Sequence, residues 1–166
     1  MSDKPINVLF LCTHNSARSI LAEAMLDHLG NGKFKGFSAG SSPRENQQPN
    51  PLGIQTLKNA GISTDGLYSK SWYEFGKPDA PQMDLVITVC DNAAGEVCPF
   101  WPGQPATAHW SYADPSAGNG TDAEKLEAFR QTLFLIRRRI ELFVCLPVSS
   151  LSKLSLETSA RDLAKI

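Results

Sequence analysis

Cys12 and Arg18 are the first pair of residues in this chain whose types and spacing could do chemistry. The apolar run at residues 8–11 predicts a buried strand that ends at Cys12, and the apolar spacing of residues 20–29 predicts a helix. The short polar loop between them can direct backbone N–H groups at one point beside the positive end of that helix, so it favours a bound anion and a thiolate. The alternative is a buried strand-end cysteine with a solvated arginine. The predicted oxyanion-binding residues are Thr13, His14, Asn15, Ser16, Ala17, Arg18 and Ser19.

The carboxyl group of Asp114, followed by Pro115, is a candidate acid. A thiolate that attacks a tetrahedral oxyanion needs a proton donor for the departing oxygen, and a carboxyl group can supply that proton. An aspartate before a proline is also common in ordinary turns. Because a nucleophile and an acid are expected together, the Cys12 loop favours the catalytic interpretation of Asp114.

Four predicted strands alternate with helical patterns and define the expected fold. The strands are predicted at residues 8–11, 34–39, 84–89 and 108–112. Their alternation with helices predicts a single α/β domain, with a central parallel sheet of about four strands and helices on both faces. In a parallel sheet the carboxyl ends of the strands share one edge, so we expect Cys12 and Cys90 at the same edge.

Capping residues mark the predicted helix ends. Asn50 precedes Pro51 and caps a second helix, whereas Gly30 is expected to end the first helix in a left-handed conformation. A capping box at Thr121 begins a long helix with one continuous apolar stripe. A weaker helical pattern follows at residues 155–165.

Composition and charge favour some functional classes over others. The 166 residues carry a net charge of −1 and 42% of them are hydrophobic, which is typical of one globular domain. Without a basic excess or an apolar stretch of transmembrane length, we expect neither a nucleic acid partner nor a membrane. No apolar signal region precedes Cys12, so the expected location is cytoplasmic.

The four cysteines are Cys12, Cys90, Cys98 and Cys145. In a reducing compartment cysteines are more often catalytic, redox-active or metal-binding than structural. Zinc sites need closely spaced ligand pairs, which this sequence lacks, so no catalytic metal is expected. Cys145 ends the apolar stripe of the long helix and is interpreted as an ordinary buried thiol.

The segment Cys12–Ser19 resembles the phosphate-binding loop of the low-molecular-weight protein tyrosine phosphatase superfamily, and the resemblance extends over about residues 8–143. It implies that Cys12 is the nucleophile, that Arg18 clamps the oxyanion and that Asp114 is the general acid. It leaves residues 147–166 as a C-terminal extension, expected to be partly helical, after a phosphatase-like domain at residues 1–146.

Val89-Cys90 and Cys98-Pro99 resemble the relay segment of the thioredoxin-coupled arsenate reductases in that superfamily. The resemblance implies that Cys90 attacks an adduct on Cys12 and that Cys98 takes over the resulting disulfide by exchange. This chain has one more residue between the two thiols than the best-known members. The alternative is a pair of unrelated cysteines.

The residues after Asp114-Pro115 favour a small substrate. Phosphatases of this superfamily that act on phosphotyrosine usually place tyrosines there, whereas this chain has Ser116-Ala117-Gly118. Trp110 and Tyr112 could still line the pocket, although such residues are more often in the core. A site without aromatic walls favours a small inorganic oxyanion.

No organic cofactor is expected. By resemblance, Asn15, Glu23 and Ser38 match positions that bind a potassium ion in some relatives, and their oxygens suit a hard cation. A structural potassium ion near these three residues is therefore an expectation.

These residues predict an enzyme that reduces arsenate to arsenite through Cys12 and an intramolecular disulfide relay. The expected partners are arsenate, with phosphate or sulfate as a mimic, and thioredoxin as the reductant. Three alternatives stay open: a low-molecular-weight phosphatase, a reductase coupled to glutathione and glutaredoxin, and a non-enzymatic redox sensor.

Overall fold

Strands and helices alternate in the first half of the chain, and the computed structural model describes residues 4–91, 101, 105–147 and 152–166. The strands are β1 (Ile6–Cys12), β2 (Phe34–Gly40), β3 (Leu85–Thr88) and β4 (Ala106–His109). The helices are α1 (Arg18–Leu29), α2 (Pro51–Asn59), α3 (Asp122–Phe143) and α4 (Lys153–Leu163), with a short 3₁₀ helix at Trp72–Gly76.

The four strands form one parallel sheet in the order β2-β1-β3-β4. β1 lies inside the sheet, where Leu11 pairs with Ala39 of β2 and with Thr88 of β3. The chain order reverses at β1, and in such sheets a crevice opens outside the carboxyl ends of the strands at this point. Cys12 ends β1 beside that crevice. The predicted α/β fold with about four parallel strands is confirmed.

Different parts of the chain pack on the two faces of the sheet. Val8 and Phe10 of β1 belong to the larger core beneath α1 and α3, while Leu9 and Leu11 belong to a smaller cluster on the other face. The short helix Trp72–Gly76 and several aromatic side chains cover that smaller cluster. All four β1 side chains are fully buried, as expected for a parallel strand with both faces covered.

α4 packs against the edge strand β4. The Glu157 carboxylate accepts a hydrogen bond from the Thr107 backbone N–H at 2.8 Å, and Arg161 Nε donates to the Thr107 carbonyl at 2.9 Å. Leu156 and Ala160 are buried in the larger core. The outward backbone groups of Thr107 are therefore satisfied by side chains rather than left as an open edge.

The predicted start and end of β4 were wrong. The strand occupies Ala106–His109 rather than residues 108–112, because Ala106 is fully buried beside Leu85 although a single alanine carries little apolar signal. Trp110 lies beyond the strand and is fully buried, and its Nε1–H donates to the Ala160 carbonyl at 2.8 Å.

Two further expectations were wrong at helix ends. Gly30 is right-handed, with φ −71°, and Asn31 and Gly32 adopt the positive φ values after α1. A Cβ at Gly30 would lie 2.7 Å from the Leu26 carbonyl oxygen, so close packing explains the glycine. Cys145 is exposed rather than buried, because the apolar stripe of α3 ends at the last residue of the helix.

Among the described residues, no helix is both long enough and apolar enough to span a bilayer.

Candidate active site

The loop after β1 curls around the sulfur of Cys12. The backbone N–H of Asn15 donates to Cys12 Sγ at 3.2 Å, and Ser19 Oγ lies 3.0 Å from the same sulfur. Asn15 has φ 56°, a left-handed conformation that asparagine tolerates better than most residues. This conformation turns the loop back on itself, so its N–H groups can face the sulfur.

Asn15 holds the loop from behind and is fully buried. Its Nδ2 donates to Ser19 Oγ at 2.8 Å, and its Oδ1 accepts from the Lys70 backbone N–H at 3.0 Å. Its carbonyl accepts from Ser69 Oγ at 2.6 Å. Either atom can donate in the contact between Ser19 Oγ and Cys12 Sγ, but a Cys12 thiolate has no hydrogen, so in that state the Ser19 hydroxyl is the donor.

The N-terminus of α1 faces the same loop, and the helix itself carries no acidic residue at this end. Its capping residue Ala17 makes no side-chain cap, and the first turn holds no acidic residue. The N–H groups of a first helical turn have no intrahelical acceptors, and the helix dipole is positive there. An oxyanion in the Cys12 loop can therefore use this helix end.

Gly40 allows the end of β2 to lie directly against the loop. The backbone N–H groups of Ser41 and Ser42 donate to the carbonyls of Cys12 and Thr13 at 2.9 and 2.8 Å. A Cβ at Gly40 would lie only 2.6 Å from the Thr13 carbonyl oxygen. The sequence analysis missed this contact, because one glycine at a strand end does not reveal what packs on it.

Arg18 and Asp114 line one open cleft with Cys12, and the volume of this cleft is about 940 Å³. Arg18 is 6% exposed, and its Nη1 donates to the Tyr112 carbonyl at 2.9 Å, which ties α1 to the segment leading to Asp114. Asp114 Oδ1 accepts from the N–H and the hydroxyl of Ser116 at 2.9 and 2.7 Å. The predicted nucleophile, clamp and acid therefore come together.

The predicted oxyanion-binding residues divide into two groups. Asn15 and Ser19 are fully buried behind the loop, where their side chains support it. The others line the cleft, namely Thr13, His14, Ser16, Ala17 and Arg18.

The remaining wall of the cleft comes from residues 41, 42 and 44–51. Most of these residues have polar side chains, Arg44 and Gln47 among them, and two are prolines. None of the described residues lining the cleft is Phe, Tyr or Trp. Trp110 and Tyr112 lie in the core instead, and burial raises the pKa of Tyr112 to about 12.

The sequence profile described as low molecular weight phosphotyrosine protein phosphatase matches residues 7–155 of this chain. The chain belongs to that family. Cys12, Arg18 and Asp114 thus form the candidate active site of a low-molecular-weight phosphatase family member.

Similar proteins in this family carry arsenate reductase names. An arsenate reductase of Halalkalibacterium halodurans is 34% identical over 136 residues, which are 82% of this chain and 93% of the relative. A glutaredoxin arsenate reductase of Synechocystis sp. is 31% identical over 134 residues, 81% of this chain and 92% of the relative.

Solved structures show the same fold. An arsenate reductase from Archaeoglobus fulgidus has a TM-score of 0.66 and 25% identity, covering 82% of this chain and 98% of that one. A thioredoxin-dependent arsenate reductase from Corynebacterium glutamicum has a TM-score of 0.52 and 26% identity. The match covers 86% of this chain and 65% of that protein's chain.

The cysteines of this family member are in different states. Cys90 is fully buried just after β3, at the edge of the sheet where Cys12 ends β1, and it is disulfide-bonded. Cys12 and Cys145 are free thiols. Cys98 lies outside the described residues, so its predicted role stays a prediction.

Two of the residues expected near a potassium ion touch each other. The Ser38 hydroxyl donates to the Glu23 carboxylate, and the ammonium of Lys70 lies 3.8 Å from the same carboxylate oxygen. Asn15 contacts this cluster by accepting a hydrogen bond from the Lys70 backbone N–H. The burial of Lys70 could not be predicted from the sequence, because one lysine between polar residues carries no pattern that indicates burial.

Proposed function

We propose that this protein reduces arsenate to arsenite, with Cys12 as the nucleophile and thioredoxin as the final reductant. One observation carries the proposal. A phosphatase-type oxyanion cleft with Cys12, Arg18 and Asp114 lies at the same sheet edge as Cys90, whose disulfide involves neither Cys12 nor Cys145. A hydrolase needs the cleft alone, whereas a reductase also needs a source of two electrons.

In the first step the Cys12 thiolate attacks the arsenic of a bound arsenate. An S–As bond forms and the bond from arsenic to a hydroxyl group breaks, and that departing hydroxyl takes a proton from Asp114 and leaves as water. Arg18 and the N–H groups of the loop and α1 bind the remaining oxygens, because they are donors held in place before the reaction.

In the second step the Cys90 thiolate attacks the sulfur of Cys12. An S–S bond forms, the S–As bond breaks, and its electron pair stays on arsenic, which is thereby reduced from As(V) to As(III). Cys98 then attacks Cys90, which frees Cys12 and moves the disulfide to Cys90 and Cys98. Thioredoxin supplies the two electrons that reduce this disulfide.

The lack of aromatic side chains among the described lining residues favours arsenate over a phosphorylated tyrosine. An aromatic substrate ring needs apolar walls, and the described lining residues include no Phe, Tyr or Trp. The relatives named as arsenate reductases support the same choice.

The identity of the reductant needs a test of its own, because similar proteins differ in it. One is named a glutaredoxin arsenate reductase and another a thioredoxin-dependent arsenate reductase. The deciding experiment is NADPH consumption with arsenate, thioredoxin and thioredoxin reductase, run beside glutathione, glutaredoxin and glutathione reductase. We expect turnover with thioredoxin only. Turnover with glutaredoxin only would overturn the thioredoxin assignment. Phosphate release from an aryl phosphate without arsenate reduction would overturn the reductase proposal.

Cysteine variants test the relay directly. Cys90→Ser and Cys98→Ser should each stop repeated turnover while Cys12 still forms its first arsenate adduct. Cys145→Ser is the matched control, since Cys145 is a free thiol on the surface, and it should turn over like the wild type. Normal turnover of Cys90→Ser would contradict the relay.

A further inference from the structure

Lys70 places a positive charge inside the protein, where its side chain is only 6% exposed. Its ammonium donates to the Tyr68 carbonyl at 2.8 Å and to the Ser38 carbonyl at 3.1 Å. Glu23 Oε1 lies 3.8 Å away, and the centre of the Tyr68 ring lies 4.2 Å away. Two carbonyls, a carboxylate and an aromatic face therefore surround this one ammonium.

The surroundings compensate for burying the charge. Burial lowers the pKa of Lys70, and the negative charge of Glu23 acts in the opposite direction. Burial likewise raises the pKa of Glu23, and the charge of Lys70 and the hydroxyl of Ser38 oppose that shift. Each buried ion costs several kcal/mol to desolvate, so the cluster is tolerable only with its partners in place.

The same segment holds the catalytic loop. The backbone N–H of Lys70 donates to Asn15 Oδ1, and the Lys70 carbonyl accepts from the Gly40 N–H at 2.9 Å. Asn15 in turn donates to Ser19, whose hydroxyl lies against Cys12. A continuous path of hydrogen bonds thus runs from the Lys70 backbone N–H to the nucleophile, and the Lys70 ammonium braces that backbone through the Tyr68 and Ser38 carbonyls.

We propose that Lys70 is a built-in cation that takes the place of a potassium ion beside Asn15, Glu23 and Ser38, and that it positions the Cys12 loop. An ammonium and a potassium ion are bound by the same kinds of oxygen, namely carbonyls and carboxylates. A potassium ion in this cluster would lie beside a like charge, and such charges repel. This inference does not depend on arsenate being the substrate.

Alkylation of Cys12 by iodoacetamide tests the proposal without any turnover. The reduced protein is treated across a pH series in matched KCl and NaCl, and the Cys12 peptide is followed by mass spectrometry. We expect the same pH profile in both salts. A clear acceleration by KCl in the wild type would overturn the proposal, whether or not the protein reduces arsenate.

Lys70→Met tests the positioning role, because methionine nearly keeps the length of the side chain and removes the charge. We expect alkylation of Cys12 to be about tenfold slower near neutral pH. A loss of this size corresponds to roughly the contribution of one hydrogen bond to the stability of the thiolate. We also expect the pH profile of Cys12 alkylation to shift to higher pH. KCl should partly restore the wild-type profile, whereas NaCl should restore little of it. Lys35→Met is the matched control, since it removes the surface lysine that pairs with Asp27 at 3.1 Å. It should keep the wild-type profile.

Stability alone would not support the proposal. If Lys70→Met unfolds more easily but keeps the wild-type alkylation profile in both salts, Lys70 is only a core ion pair and the positioning role is wrong. If Lys70→Met does not fold, the double variant Lys70→Met with Glu23→Gln removes both buried charges and undergoes the same measurement. A wild-type profile in the folded double variant would also overturn the positioning role.

Discussion

Ser19 Oγ lies 3.0 Å from Cys12 Sγ while it accepts a hydrogen bond from Asn15 Nδ2 at 2.8 Å. A thiolate has no hydrogen to donate, so once Cys12 is deprotonated only the Ser19 hydroxyl can be the donor in this contact. Ser19 is therefore a donor to the Cys12 thiolate, although it lies behind the loop and lines no part of the cleft.

Ser19→Ala should slow every reaction of the Cys12 thiolate. A hydrogen bond to a charged group contributes about 1.5–3 kcal/mol, so we expect alkylation and arsenate turnover to fall by about 10-fold to 100-fold near neutral pH. The measurement is iodoacetamide alkylation of Cys12, with steady-state turnover beside it. Ser63→Ala, on the surface, is the control and should leave both rates unchanged. Equal alkylation rates for wild type and Ser19→Ala would rule out the donor role.

Asp114→Asn should slow arsenate chemistry and spare the thiol. General acid catalysis typically contributes about 10²-fold to 10⁴-fold, so a loss of that order is expected in the rate of the first turnover. Alkylation of Cys12 should stay the same, because an alkylating agent needs no proton from Asp114. Asp65→Asn is the control at an exposed position. An unchanged first-turnover rate would mean that another group protonates the departing oxygen.

Gly40→Ala should destabilise the protein and loosen its active site. The new Cβ would lie 2.6 Å from the Thr13 carbonyl and 3.0 Å from the Asn15 nitrogen, so the loop must move. Overpacking of this kind typically costs about 1–3 kcal/mol. Urea denaturation measures that cost, and protection of Cys12 from alkylation by phosphate measures anion binding.

The matched control for Gly40→Ala is Gly76→Ala. A Cβ at Gly76 would meet nothing within 4 Å, so this variant should keep both wild-type stability and wild-type anion binding. A Gly40→Ala protein that matched Gly76→Ala in both measurements would contradict the close contact between β2 and the loop.

His109 should make the stability of the protein fall as the pH is lowered. Burial lowers the pKa of His109 below its ordinary value of 6.5, and the charge of Arg139 adds to that effect. Between the lowered pKa and 6.5 the unfolded chain binds more protons than the folded one, so the free energy of unfolding rises with pH. The stability contributed by neutral His109 is complete above pH 6.5 and is lost as the pH falls to the folded pKa and below it.

Urea denaturation of the wild type and of His109→Gln over pH 5–8 measures this effect. His109→Gln should reduce the slope of stability against pH. Identical slopes for the wild type and His109→Gln would show that His109 is protonated equally easily in the folded and unfolded states.

The local features of this protein could be predicted from its sequence. The apolar run before Cys12 predicted β1, the box at Thr121 predicted the start of α3, and alternation predicted the parallel sheet; all three are confirmed. These features depend on residues close together in the chain, so their spacing carries the information. The candidate nucleophile and clamp were found for the same reason.

The residues that support the site could not be predicted before the fold was known. Lys70 and Asn15 are 55 residues apart, and Arg18 and Tyr112 are 94 apart. The periodicity of a short segment does not predict such contacts, because these residues meet only after the sheet has brought distant parts of the chain together. The burial of Lys70, the packing of α4 on β4 and the exposure of Cys145 were settled by that assembly, since each depends on which surface is already covered.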